Sequence, residues 1–397
     1  MKPWPLLLPI ALLTAILPTS SCKGSSLDSS LYTVEVVSGV RHVHNRAPQL
    51  GLAPGATLEF IGKIGRLESN EERELLYDPV DAARLPNGDI LVLEGSGCKV
   101  KRFKKDHSFL SAFGQKGLGP GDFVSPYRLR LTSDGKALYV ADTRISKFLL
   151  DGTFERSFKP ELTVSGGSIG AEQSRSGMAL LSASRVILPS AASLWAESGE
   201  SKLLSVYDET GKVIRSFGAV EKYEDPKLTL NANIAYFVSD WADSVYVGYA
   251  YQNRIDKYSP DGRLIFSADR PLAYELKTEM RAVLFKSGAE EREFPWAAVT
   301  SVVKGLGLDQ RNKLWVLTFL RQPNKFGEFE EGRNLADCYE YQVFDENGVF
   351  LFRVPFPNVR FDRVSMNGDR LFLIDSRTEA CVYEYRILDA TRLRSSG

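Results

Sequence analysis

The chain has 397 residues, 43% hydrophobic and 25% charged, with 50 Lys and Arg balancing 50 Asp and Glu. These proportions suit a globular protein with a sizeable core, and the balanced charge gives no global field toward nucleic acid. Three histidines are too few for most His-rich metal chemistry, and beyond residue 25 no apolar run reaches the roughly 20 residues that span a bilayer.

At the N-terminus, Lys2 precedes an apolar stretch from Trp4 to Leu17, followed by Pro18, Thr19, Ser20, Ser21 and Cys22. A charged start, a short apolar run and small residues before a cut site predict a secretory signal. Ser20, Ser21 and Cys22 resemble a bacterial lipobox, although Thr19 stands where that motif usually has Leu. The resemblance implies lipid attachment at Cys22, where each buried methylene of an acyl chain contributes about 0.8 kcal/mol. The plainer alternative is an ordinary cleaved signal with an incidental cysteine. Residues 1–22 are read as the signal peptide, and 23–57 as a polar tether with a short added hairpin over Tyr32–His44. Export permits disulfides. Cys98, Cys338 and Cys381 are odd in number and lack redox or zinc spacing, so packed thiols with at most one disulfide are expected.

From residue 58 the chain repeats a four-strand unit, most clearly from Gly117 to Phe158. Six second strands are predicted at Ile90–Leu93, Leu138–Ala141, Val186–Leu188, Val245–Gly248, Leu314–Leu317 and Leu371–Ile374, rich in apolar, β-branched and aromatic residues. Third strands follow at 100–103, 145–148, 204–207, 255–258, 341–344 and 382–385. Asp151-Gly152, Asp261-Gly262, Asn347-Gly348 and Gly211 mark tight turns, where glycine accepts positive φ. Only five units have a fourth strand downstream. The missing copy is Leu58–Gly65, which has no third strand before it. The expectation is therefore an all-β, six-bladed β-propeller of four-stranded antiparallel blades over 58–390. The N-terminal strand at about 58–65 completes the last blade, and 391–397 form a tail. Closure of this kind removes open sheet edges.

The Gly117-Leu-Gly-Pro-Gly-Asp-Phe123 stretch and the following LYVADTRISKFLLDG resemble an NHL-type repeat. The chain as a whole is similar to a family of exported bacterial six-bladed propellers. The likeness is strong in units one and two, fair in four to six and poor in three, and no unit keeps the family's Asn-His pair. It implies a first strand innermost in each blade, and one face shared by the loops that lead into first strands and those between second and third strands.

On that face unit five carries two insertions, Pro271–Thr300, with a helix expected over Leu272–Phe285, and Leu320–Asp337. Trp296, Phe326 and Phe329 among carboxylates including Glu328 and Glu330 suit a binding lip, a solvated decoration being the alternative. Aligned first strands bring Asp81, Arg128, Tyr236, Gly305 and Asp362 to the channel mouth, with Arg130 and Lys304 beside them. Convergent polar groups in a concavity form the default site. The bland alternative is that Arg128 merely neutralises Asp81. Asp142, Asp375 and Glu94 are expected to accept backbone N–H groups.

Weaker motifs are set aside. Gly166-Gly-Ser168-Ile-Gly170 lacks the strand–turn–helix of a nucleophile elbow. His42 and His44 lack a third metal ligand. Gly117-x-Gly119-Pro-Gly121 is a turn before a strand, unlike a phosphate cradle. Lys99, Lys101, Arg102, Lys104 and Lys105 read as a solvated outer strand and turn.

The leading expectation is a non-catalytic binding or scaffold propeller at the cell envelope, membrane-associated through its lipid alone. Its partner would be an envelope protein, a peptide or a glycan, with no cofactor and no nucleic acid. The alternative is a propeller enzyme using axial carboxylates: a calcium-dependent lactonase-like hydrolase, a quinone-dependent sugar dehydrogenase or a lyase. Asp81 and Asp362 would supply two of the carboxylates.

Overall fold

The structure is a computed structural model describing residues 27–53, 55–65, 72–161, 177–190, 201–287, 290–322 and 337–389, with residues 227 and 281–298 described as backbone alone. Cys22, the Gly166–Gly170 stretch, and Phe326, Glu328, Phe329 and Glu330 lie outside the described residues, as does the side chain of Trp296.

The described chain opens with a hairpin, β1 (Tyr32–Val37) and β2 (Val40–Asn45), followed by β3 (Ala56–Ile64). Blade one is β4 (Pro79–Arg84), β5 (Ile90–Glu94), β6 (Lys99–Phe103) and β7 (Phe109–Phe113). Blade two is β8 (Arg128–Leu131), β9 (Ala137–Ala141), β10 (Ile145–Leu149) and β11 (Phe154–Phe158). Blade three, the poorest repeat in sequence, has the short inner strand β12 (Ala179–Leu180), then β13 (Val186–Pro189), β14 (Lys202–Tyr207) and β15 (Val213–Ala219). A short helix, α1 (Pro226–Ala232), precedes blade four. That blade is β16 (Ala235–Ser239), β17 (Val245–Tyr249), β18 (Ile255–Tyr258) and β19 (Leu264–Asp269). After the paired strands β20 (Thr278–Ser287) and β21 (Glu290–Val299) comes blade five. Its strands are β22 (Val303–Leu308), β23 (Leu314–Phe319), β24 (Tyr339–Phe344) and β25 (Phe350–Pro355). Blade six is β26 (Arg363–Asn367), β27 (Arg370–Asp375) and β28 (Cys381–Asp389), with β3 as its outermost strand.

The second strand of each blade is covered on both faces by its neighbours, which is why these strands read as continuous apolar runs: Ile90, Leu91, Val92 and Leu93 are all fully buried. Between the third and fourth strands every blade has a register shift just before an aromatic residue, at Phe103, Phe148, Tyr207, Tyr258, Phe344 and Tyr385. Such bulges sharpen the local twist. In blade six the shift falls between β28 and β3, so the N-terminal strand occupies the place of a fourth strand down to its irregularity.

The hairpin expected at Tyr32–His44 is integral to the disc. Strand β2 pairs in parallel with β19 and extends blade four to six strands. Asn45 then ties three places together: its side chain donates to the Asp269 and Gly348 carbonyls and accepts from the Phe350 N–H. The following residues hydrogen-bond along the outer strand of blade five, Gln49 N–H to Phe350 O and Leu50 N–H to Leu351 O. The N-terminal segment thus straps blades four and five before closing blade six.

Two expectations are corrected. Residues 272–285 form no helix. The segment from Thr278 pairs antiparallel with β21 in a ten-residue register from Thr278↔Val299 to Ser287↔Glu290. The helical expectation is overridden by cross-strand pairing, which engages the segment's backbone over ten residues with β21. The basic cluster is also less solvated than expected. Lys101 is buried, donates to the Leu75 carbonyl and lies 3.3 Å from Glu94, while Arg102 pairs with Asp89 at 2.7 Å. Cys98, Cys338 and Cys381 are buried free thiols.

Candidate functional site

Each blade runs from its inner strand outward, so the N-terminal ends of β4, β8, β12, β16, β22 and β26 open on one face of the disc. The connections holding the two unit-five insertions open on the same face. There a pocket of about 50 Å³ is lined by Arg128 and Arg130 of blade two, Tyr236 of blade four, Lys304 of blade five, and Asp362 and Arg363 of blade six. Phe237, Gly305, Leu306 and Val364 complete its wall. Five of the six polar residues expected at the mouth thus converge.

The sixth, Asp81, is fully buried beside the pocket. Its Oδ2 accepts from the Leu129 N–H at 2.9 Å and from Arg130 Nη1 at 2.8 Å. Arg128 is more distant at 3.9 Å, so Arg130 rather than Arg128, the residue named in the bland alternative, is the principal counter-ion of Asp81. Arg130 also donates to the Met178 carbonyl at 3.0 Å, which supplies blade three's polar group at the axis from its backbone. A single guanidinium therefore joins three blades. Asp362 is likewise engaged, accepting from the Ser376 N–H at 3.0 Å and from Ser376 Oγ at 2.5 Å, with Arg377 at 3.7 Å and Arg363 at 4.0 Å.

Among the described residues the axis therefore sets four cations, Arg128, Arg130, Lys304 and Arg363, against two carboxylates. Arg128 is 7% exposed. Burial pulls its pKa below the ordinary arginine value, Asp81 opposes that shift, and the neighbouring Arg130 and Arg363 add to it. Positive charge crowded into a poorly hydrated place is stabilised by an anion.

The carboxylates expected to serve loops do so. Asp142 accepts the Val124 and Ser125 N–H groups, both at 2.7 Å, Asp375 accepts those of Arg377, Thr378 and Glu379, and Glu94 accepts that of Tyr77 at 2.8 Å. Gly119 N–H donates to Asp122 in the turn before blade two. His44 binds Asp269 at 2.6 Å and Glu35 at 3.5 Å, tying the hairpin to blade four.

Arg363 was not singled out in the sequence, although its neighbour Asp362 marks the same strand start. A second recess also escaped it. About 380 Å³ in volume, it lies between blades one and two and is lined by Asp78, Ser96, Lys116, Ser125, Tyr127 and again Arg363. No group of three or more His, Cys, Asp or Glu placed to hold a metal occurs among the described residues.

No family model matches the chain, and no curated protein matches it. Solved structures do. A member of the DUF4221 family from Bacteroides vulgatus superposes with a TM-score of 0.53 at 11% identity, over 85% of this chain and 99% of that one. A putative exported protein from Bacteroides fragilis gives 0.50 at 11% identity, over 83% and 95%. A virginiamycin B lyase from Staphylococcus aureus gives 0.43 at 10% identity, over 83% and 99%. The first two support the six-bladed fold. No helix among the described residues is long and apolar enough to cross a membrane.

Proposed function

We propose that the protein is a non-catalytic binding propeller, exported and tethered at the cell envelope through Cys22. Its protein, peptide or glycan partner presents an anionic group to the axial pocket. The observation that carries this reading is the excess of cations over carboxylates at the described mouth. Two further features support it. Both axial carboxylates on which an enzymatic reading would draw are engaged by internal donors. The 50 Å³ pocket is also far below the roughly 300–1,000 Å³ of a site that engulfs a whole small molecule, but it suits the charged end of a larger one.

The test is binding of matched anionic and neutral probes, peptides and glycans alike, to the wild-type chain and to Lys304→Ala with Arg363→Ala. The expectation is selective capture of anionic probes, weakened by added salt and reduced about tenfold or more in the double variant. Equal capture of neutral and anionic probes would sink the reading. The tether is tested separately by the intact mass of membrane-extracted protein, which should show acylation at Cys22.

A further inference from the structure

The axial pocket is not isolated, because Arg363 lines both it and the larger recess over blades one and two. The recess has the volume of a ligand site, about 380 Å³. Its inner wall begins at Asp78, a non-glycine residue held at φ 53°. This left-handed turn, which Asp tolerates better than most residues, sets the carboxylate over Gly95. A Cβ at Gly95 would stand 2.7 Å from Asp78 Oδ2, so a larger residue there would displace it. Ser96 Oγ donates to the same oxygen at 3.1 Å. Across the recess stand the ammonium of Lys116 and the hydroxyl of Ser125, both exposed.

Four backbone N–H groups around this recess are already engaged. The Val124 and Ser125 N–H groups go to Asp142, that of Gly95 to the Asp78 carbonyl, and that of Tyr127 to Ala141. A peptide docking by main-chain pairing needs such groups unpaired. The side chains offer a ligand a carboxylate acceptor, ammonium and guanidinium donors and hydroxyls, a set that complements sugar hydroxyls, each of which donates and accepts.

We propose that the recess and the axial pocket are two parts of one site for an acidic oligosaccharide. The carboxylate of a terminal uronic acid sits at the cationic axis, and the following sugars lie over Asp78, Ser96, Lys116 and Ser125. This rests on the anion-binding reading of the axis and adds the ligand's class and direction.

The test is calorimetry on the full chain with galacturonate oligomers of one to four units, their carboxyl-reduced counterparts and acidic tetrapeptides. In the wild type, lengthening from one unit to three should tighten binding about tenfold, and reduced chains should not bind. Asp78→Asn tolerates the same backbone turn, and Ser125→Ala leaves the Asp142 bonds in place. Combined, with an unchanged melting temperature as the folding control, these substitutions should abolish the gain with length and leave monomer binding intact. Monomer binding without a length gain, or a gain that survives in the variant, overturns the recess while sparing the axial reading. Absence of all uronate binding overturns both, and a length gain for peptides alone overturns the glycan assignment.

Discussion

The closure seam and the axial mouth both gather buried charge from distant parts of the chain, yet they balance it differently. At the seam, Glu384 of β28 is 2% exposed and receives Arg370 Nε at 2.9 Å on one oxygen and His107 Nε2 at 2.7 Å on the other. Donors and acceptors are matched. At the axis, four described cations face two carboxylates, and the burial of Arg128 pulls its pKa down. A matched buried network fixes register and partner, whereas one-signed crowding costs stability. The seam joins the two ends of the chain; the mouth, among the described residues, gathers more positive than negative charge.

The seam also departs from the repeat in a compensated way. In blade five the turn glycine Gly348, at φ 85°, fits against Phe266 of the preceding blade. The register equivalent of Phe266 in the closing strand is Gly62, opposite Glu384. The turn position that faces it in blade one is His107, at φ 67°, and a Cβ on Gly62 would strike its ring. Bulk has moved from the strand to the turn, and the histidine gained there reaches Glu384.

The comparison can be broken most directly by removing β3. Deletion of residues 56–64 exposes the edge of β28 and should abolish cooperative unfolding or drive association, as read by light scattering and thermal melts. A stable monomer would refute the closure. Next, Glu384→Ala leaves the Arg370 guanidinium buried without this partner and should cost about 3–5 kcal/mol in urea denaturation. Third, His107→Gly should cost about 1–3 kcal/mol, and adding Gly62→Phe, which restores the arrangement of blade five, should recover part of it. A double-mutant cycle with no coupling would show that the exchange of sizes is incidental.

The fold was legible because its repeat is physical. Apolar second strands recur in all six blades, glycines stand at four of the five turns between third and fourth strands, and the orphan Leu58–Gly65 strand supplies the fourth strand that the sixth unit lacks. Legibility failed where a tertiary partner decides. Residues 272–285 read as a helix, but from Thr278 onward the opposing strand makes them part of β20. Lys101 reads as an exposed strand residue, but Glu94 and the Leu75 carbonyl bury it. At the site, strand alignment brought Asp81 and Arg128 to the right end of the disc, but it could not tell that Arg130 takes Asp81. Nor could it show the recess, which depends on the positive φ of Asp78 and on the fit of its carboxylate over Gly95.

A smaller effect should appear where the hairpin meets blade four. The hydrogen bond to Asp269 is the largest influence on His44 and raises its pKa above 6.5, burial opposing and Glu35 adding to the rise. A folded-state value above the unfolded one means that the stabilisation is fully present below about pH 6.5 and is lost as pH rises through the raised value. Because His44 and Asp269 are substantially exposed, the contribution should stay under about 1 kcal/mol. Hydrogen exchange over residues 32–45 should separate the wild type from His44→Asn near pH 6 and merge the two at alkaline pH. Separation that grows with pH would reverse the sign and remove the ion pair as its cause.

The smallest stability effect is expected at the mouth, and it bears most on the comparison. Lys304 lines the pocket and is half-buried, with like-charged Arg128, Arg130 and Arg363 around the same small volume. Removing one cation from such a group relieves repulsion while forfeiting whatever local contact the ammonium makes, so the two effects oppose. Lys304→Ala should therefore change the unfolding free energy by no more than about 0.5 kcal/mol, against the several expected for Glu384→Ala. If it instead destabilised as strongly as the seam substitution, the mouth would be a structural network like the seam, and its positive charge would no longer point to a ligand.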